Sequence, residues 1–194
     1  GEEIRRNYSL SAAPNGRDYR ISVKRENGGR ASVYLHDTLR EGDVIDVFPP
    51  AGEFVLAEGD RPVVLISGGV GITPTLAMLD AALQGTRPVH FIHFARNRKV
   101  HAFREAVDAR QARHAQLKRF YVYDEHAEEA DAPHATGRLS SEQLAQYLPA
   151  SRDVDAYFLG PKPFMRQIRR QLADLGVPAA QTRYEFFGPA AALD

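Results

Sequence analysis

Val63-Val64-Leu65-Ile66-Ser67-Gly68-Gly69-Val70-Gly71-Ile72-Thr73-Pro74 decides how the rest of the chain is read. An apolar run without charge is a strand buried on both faces. It runs into three glycines within four positions, then a threonine and a proline suited to the first turn of a helix. A strand–glycine turn–helix brings backbone N–H groups to bear on an anion, and glycine lets that anion approach the main chain. The stretch is therefore read as a phosphate-binding turn.

A second turn of this kind lies downstream, at Tyr157-Phe158-Leu159-Gly160-Pro161-Lys162-Pro163. Between and beyond the two turns, strand and helix alternate. Strands are predicted over 63–67, 89–94, 120–123, 156–159 and 182–186, and helices over 74–83, 102–113, 141–147 and 163–175. Phe164, Ile168, Leu172 and Leu175 step by four, four and three along the last helix, and Gly176 and Pro178 end it. This rhythm predicts an α/β domain with a doubly wound five-stranded parallel sheet in the order 3-2-1-4-5, which sets both turns at the reversal of winding.

Ahead of Glu58-Gly59-Asp60 the texture differs. Tyr19 to Lys24 alternates apolar and polar residues, as a half-buried antiparallel strand does, and Val44 to Phe48 repeats the pattern less cleanly. A short helix is predicted over 32–39, behind Gly28-Gly29. Residues 1–58 are thus read as small β structure with one helix, and 61–194 as the α/β domain.

Composition narrows the function. The 194 residues carry 25 basic and 25 acidic side chains, so no surplus of charge calls for nucleic acid or anionic lipid. Without cysteine, disulfides, thiolate metal sites and thiol catalysis are excluded, in keeping with a cytoplasmic protein. Residues 62–79 are uncharged, but their glycines and Pro74 argue against a membrane span. The acidic, polar start is no signal peptide. Seven histidines are scattered, and His90 and His93 fall on opposite faces of one strand, so no metal site is read.

Taken in order, Arg6-Asn7-Tyr8-Ser9, the segment from Gly28 to Leu35, the Gly68–Thr73 turn, Gly160-Pro161, and Tyr184-Glu185-Phe186-Phe187-Gly188-Pro189 resemble the ferredoxin–NADP reductase superfamily. The likeness is closest to the reductase module of flavohaemoproteins and spans nearly the whole chain. It implies FAD on an antiparallel β-barrel, of which residues 1–58 would be one part, and NAD(P)H on the α/β domain. The rest of the barrel, and an electron-accepting domain, would then lie upstream in a longer parent chain.

The resemblance also implies roles. Arg6 would pair with the FAD diphosphate, Asn7 would stand beside it, Tyr8 would stack on the isoalloxazine ring, and Ser9 would bond near the flavin atom that receives hydride. Gly28, Gly29, Ala31 and Ser32 would set a helix start on the same diphosphate. Gly68, Gly69, Val70, Gly71, Ile72 and Thr73 would cradle the nicotinamide dinucleotide. Gly160 and Pro161 would border its nicotinamide. Glu185, Phe187, Gly188 and Pro189 would reach back to the flavin, with Glu185, Tyr8 and Ser9 as the catalytic set. Leu159 stands where the family commonly has cysteine. Asp124-Glu125 favour NADH over NADPH, against Arg96 and Arg98. The implied activity is hydride transfer from NAD(P)H to FAD, with electrons passing on to a globin haem in support of nitric oxide dioxygenation. An iron–sulfur acceptor, or dinucleotide binding without turnover, are the alternatives.

Overall fold

The computed structural model describes residues 3–125 and 132–187. Six parallel strands form one sheet in the order β4-β3-β2-β1-β5-β6. They are β1 (Val63–Gly68), β2 (Val89–Ala95), β3 (Leu117–Tyr123), β4 (Ala135–Thr136), β5 (Asp155–Leu159) and β6 (Thr182–Tyr184). The predicted order holds, with one edge strand more than expected. β4 is two residues long and lies in a stretch whose sequence reads as polar loop, so it carries no periodicity to detect.

β1 sits at the centre and every one of its residues is buried. Val63 and Leu65 face one core, with Ile72, Leu76 and Leu79 of α2 (Ile72–Ala82) and Val107 of α3 (Arg104–Gln111). Val64 and Ile66 face the other, with Leu144 of α4 (Ser141–Ala145) and Met165, Ile168 and Leu172 of α5 (Lys162–Asp174). Period-two alternation thus feeds two hydrophobic layers from one strand.

Local chemistry sets the helix ends. Ser140 and Gln143 form a reciprocal capping box on α4. After α5, Gly176 takes φ +81°, and the Val177 N–H donates to the Leu172 carbonyl at 3.0 Å. α3 begins two residues later than predicted because Phe103 adopts a left-handed φ of 62° while packing against the first core. α2 begins two residues earlier than predicted, which leaves Pro74 in its first turn, where the missing N–H costs nothing.

The first segment departs most from expectation. It holds α1 (Arg30–Asp37), two residues ahead of the predicted span, and one antiparallel bridge, Leu10–Ile21. Neither predicted strand forms as a ladder among the described residues. Tyr19, Val44, Val47 and Phe48 are exposed at 67%, 92%, 73% and 76%. An alternating pattern becomes a strand only when a neighbour covers its apolar face and accepts its hydrogen bonds. Among the described residues, 19–24 meets only Leu10 and Ser11 as backbone partners, too short a stretch for a ladder, and Phe48 is covered by the Arg5 guanidinium rather than by a strand. Phe54 and Leu56 instead pack against the first core of the sheet.

Leu65→Ala, in the buried centre of β1, is expected to cost about 2–5 kcal/mol by urea denaturation. Val47→Ala is expected to stay within about 0.5 kcal/mol.

Candidate functional site

The two glycine turns meet. β1 and β5 pair in parallel, with Ser67 opposite Leu159, so the turns leave the sheet side by side. Gly69, Val70 and Gly71 make one 3₁₀ turn with Gly69 at φ +55°, and α2 follows at once. A Cβ on Gly71 would overlap the Leu159 carbonyl oxygen, so only glycine permits this approach of backbone to backbone. Gly160 is also close to Phe164 and to the Cα of Gly68: a Cβ there would lie 2.6 Å from the ring and 3.3 Å from Gly68. Thr73 is buried, and its hydroxyl donates to the Val70 carbonyl at 3.2 Å, bracing the turn from within. Val70, Gly69 and Pro161 are exposed around it, and Ile72 anchors α2 in the core. Leu159 is fully buried, so it contributes packing and its carbonyl rather than an exposed side chain.

Beneath this turn runs a buried polar chain that the sequence reading missed. Ser67, the residue before Gly68, bonds His93 Nδ1 at 2.8 Å. His93 and His101 lie ring to ring at 4.5 Å, and His101 Nδ1 bonds the Tyr123 hydroxyl at 2.8 Å. Burial, and then the adjacent His101 ring, hold His93 well below the ordinary imidazole value, while burial and then the nearby arginines, Arg104 first, bring His101 down to about 4. The signal was present, since β2 turns His93 to the same face as Phe91. His90 points to the opposite face, where Nδ1 bonds the Tyr147 carbonyl at 2.6 Å.

A second glycine-led helix start lies in the first segment. Gly28 takes φ +73°, and α1 follows Gly29 with no side chain capping its first N–H groups. Ser32 is buried and turned inward: its hydroxyl donates to the Gly29 carbonyl at 3.1 Å and accepts from the Glu26 N–H at 3.2 Å. Ser32 thus shapes the turn, and Ala31 is half-buried beside it. Open amides behind a glycine turn fit an anion such as a diphosphate.

The remaining residues are less assembled. Arg6 and Asn7 are exposed, with Arg6 donating to the Arg5 carbonyl, and Tyr8 and Ser9 are half-buried next to the Leu10–Ile21 bridge. Among the described residues they share no hydrogen bond or ring contact with the glycine turns. Glu185 is half-buried just past β6, and burial raises its carboxyl above the usual range. It lines a cavity of about 480 Å³ with Glu53, Phe54 and Thr182–Tyr184. Phe187 is 46% exposed, and Gly188 and Pro189 lie outside the described residues.

At the carboxyl end of the sheet, Asp124 and Glu125 follow β3 and are held against the end of β2. Their N–H groups donate to the Ala95 and Arg96 carbonyls at 3.1 and 2.8 Å, and Asn97 donates to the Glu125 carboxylate at 2.9 Å. Arg98, in the turn after β2, stands 3.9 Å from Glu105. Among the described residues no group of three or more His, Cys, Asp or Glu is placed to hold a metal ion, and no helix is long and apolar enough to cross a membrane.

Comparison with known proteins accords with this geometry. The family described as oxidoreductase NAD-binding domain matches residues 65–170, which begin in β1 and end in α5. The chain belongs to this family. Flavohemoproteins of Burkholderia sp. strain TH2 and Pseudomonas putida are 62% and 66% identical to it over all 194 residues, and each alignment covers 49% of the relative. The chain therefore spans about half the length of the curated relatives it matches. Among solved structures, the flavohem-like FAD/NAD-binding domain of nitric oxide dioxygenase from Vibrio cholerae is 37% identical, with a TM-score of 0.83 over 94% of this chain and 76% of that one. The family resemblance carried by the motifs, to ferredoxin–NADP reductases and most closely the flavohaemoprotein module, thus holds.

Two outcomes check the site. Gly71→Ala is expected to destabilise the fold by about 1–3 kcal/mol, because the displaced element is main chain, and to weaken NADH binding in a fluorescence titration. Acidification is expected to lower the Tm as pH falls from 6.5 to about 4, since the unfolded chain takes up a proton that buried His101 refuses. His101→Phe should flatten that slope.

Proposed function

We propose that this chain is a reductase module that takes hydride from NAD(P)H onto FAD and passes electrons to an acceptor domain, the globin haem of a flavohaemoprotein acting in nitric oxide dioxygenation. The observation that carries the reading is the convergence of Gly71 and Gly160 at the β1–β5 switch point, in a chain this similar to flavohemoproteins. When bound, the nicotinamide supplies a two-electron hydride and the flavin releases electrons singly.

The protein's part is binding and orientation. The Gly68–Thr73 turn presents main-chain N–H groups to a dinucleotide diphosphate, while Gly160 and Pro161 leave room beside it. Gly28, Gly29, Ala31 and Ser32 supply a second anion-facing helix start for FAD. Arg6 adds a cation, Tyr8 an aromatic face, and Ser9 a hydroxyl for the flavin; Asn7 stands between them. Glu185, Phe187, Gly188 and Pro189 close the flavin side from the end of the sheet. Residues 1–58 serve as part of the FAD-binding barrel and 61–194 as the NAD(P)-binding domain. The exposed apolar side chains of Val44, Val47 and Phe48 match a surface that further barrel strands would cover.

NADH is the favoured donor. Asn97 fixes the Glu125 carboxylate at the carboxyl end of β3 beside Asp124, where a carboxylate accepts ribose hydroxyls and repels a 2′-phosphate. The absence of any charge surplus and of cysteine fits a cytoplasmic protein working without nucleic acid or membrane.

Reconstitution with FAD, followed anaerobically by absorbance, tests the proposal. Oxidised-flavin bands are expected to appear and to bleach on adding NADH, more slowly with NADPH. Ser9→Ala should slow bleaching far more than it weakens NADH binding, and Arg6→Ala should lower FAD occupancy. NADH binding with no flavin uptake by this chain would confine the reductase reading to the longer parent chain, and no NADH binding would overturn it.

A further inference from the structure

At the amino end of the sheet, opposite the glycine turns, one buried carboxylate collects three arginines. Asp155, the first residue of β5, has a side chain 1% exposed. Arg87 donates to it at 2.7 Å, Arg183 at 3.3 Å, and Arg61 stands 3.7 Å away. A buried ion pair of this kind is weak evidence for added stability, because desolvation offsets much of its attraction. Its geometry serves something more specific.

The Arg87 guanidinium has a second task. Held by Asp155 on one nitrogen, it donates through another to the Ala57 carbonyl at 2.8 Å and through Nε to the Arg61 carbonyl at 2.7 Å. The Ala57 N–H is taken by the Tyr157 hydroxyl, at 2.7 Å. Both polar backbone groups of one residue are thus gripped by side chains of the sheet. Among the described residues, the hydrogen bonds joining residues 3–58 to the sheet all fall on Ala57. Phe54 lies edge-on to the Tyr157 ring, with centroids 5.9 Å apart. Two residues before Phe54, this strap of residues 52–57 bends at Gly52, φ +117°, where an added Cβ would lie 3.9 Å from the Glu185 carboxylate. The strap therefore forms one wall of the cavity whose other wall carries Glu185.

We propose that Asp155, Arg87 and Tyr157 form a latch that fixes residues 54–57 on the sheet and thereby sets how the amino-terminal segment is placed against the α/β domain. Asp155 and Arg87 are positioning residues, acting through the Ala57 backbone. Only the consequence for hydride transfer rests on the reductase reading; the latch itself is a statement about this chain's geometry.

The chain has no cysteine, so a pair of spin labels can be placed cleanly. Labels at Tyr34→Cys on α1 and Ala173→Cys on α5 report the placement of the two segments by double electron–electron resonance. Tyr157→Phe removes the bond to Ala57 and keeps the ring; Arg87→Gln removes the anchor to Asp155. A narrow distance distribution is expected in the parent, and a broad one shifted to longer distances in both variants, with circular dichroism showing the sheet intact. A purely structural ion pair would lower the Tm and leave the distribution narrow, and that result would overturn the proposal. If Arg87→Gln fails to fold, Tyr157→Phe alone decides. In FAD-loaded protein, the latched parent should reduce flavin faster than Tyr157→Phe at an unchanged KM for NADH. That arm fails if no flavin binds, while the distance measurement still stands.

Discussion

The contact between the main chain at Gly71 and the Leu159 carbonyl governs the rest of the structure. Two turns from neighbouring parallel strands meet there with no side chain between them. That closeness needs a strand buried on both faces, so that β1 stays at the sheet centre, and it needs glycine at the point of approach. Once met, the turns leave Gly69, Val70 and Pro161 exposed on one side and the buried Ser67–His93–His101 chain on the other. The layer beneath the turn is polar yet uncharged, because burial keeps both imidazoles neutral.

Where a pattern was completed within the chain, it was legible. β1, β2 and β5 are buried on both faces by residues the chain itself supplies, and their apolar runs matched the observed strands to within a residue or two. The stripe on α5 and its glycine stop were equally clear. Boundaries slipped where a backbone exception intervened: Phe103 delays α3 by adopting a left-handed conformation that no apolar pattern announces. β4 was invisible because two residues carry no period.

The amino-terminal segment failed for a different reason. Tyr19–Lys24 and Val44–Phe48 have strand-like patterns, yet alternation describes only a side chain's preference, and a ladder requires a partner. The site divides along the same line. The meeting of the Gly68–Thr73 turn with Gly160 follows from sheet topology and was readable in advance. The residues assigned to a flavin were named through family resemblance alone, and the described contacts leave Arg6 to Ser9 apart from the turns. The gripped backbone of Ala57 was beyond sequence reading, because nothing local marks an alanine whose partners lie 30 and 100 residues away.

The central claim is that both glycine turns bind one dinucleotide together. Amide ¹H–¹⁵N spectra recorded during titration with NADH test it most directly. The account requires the resonances of Gly69, Val70 and Gly71 to move in step with that of Gly160, along a single binding curve. Movement confined to one turn, or to amides remote from both, would contradict it.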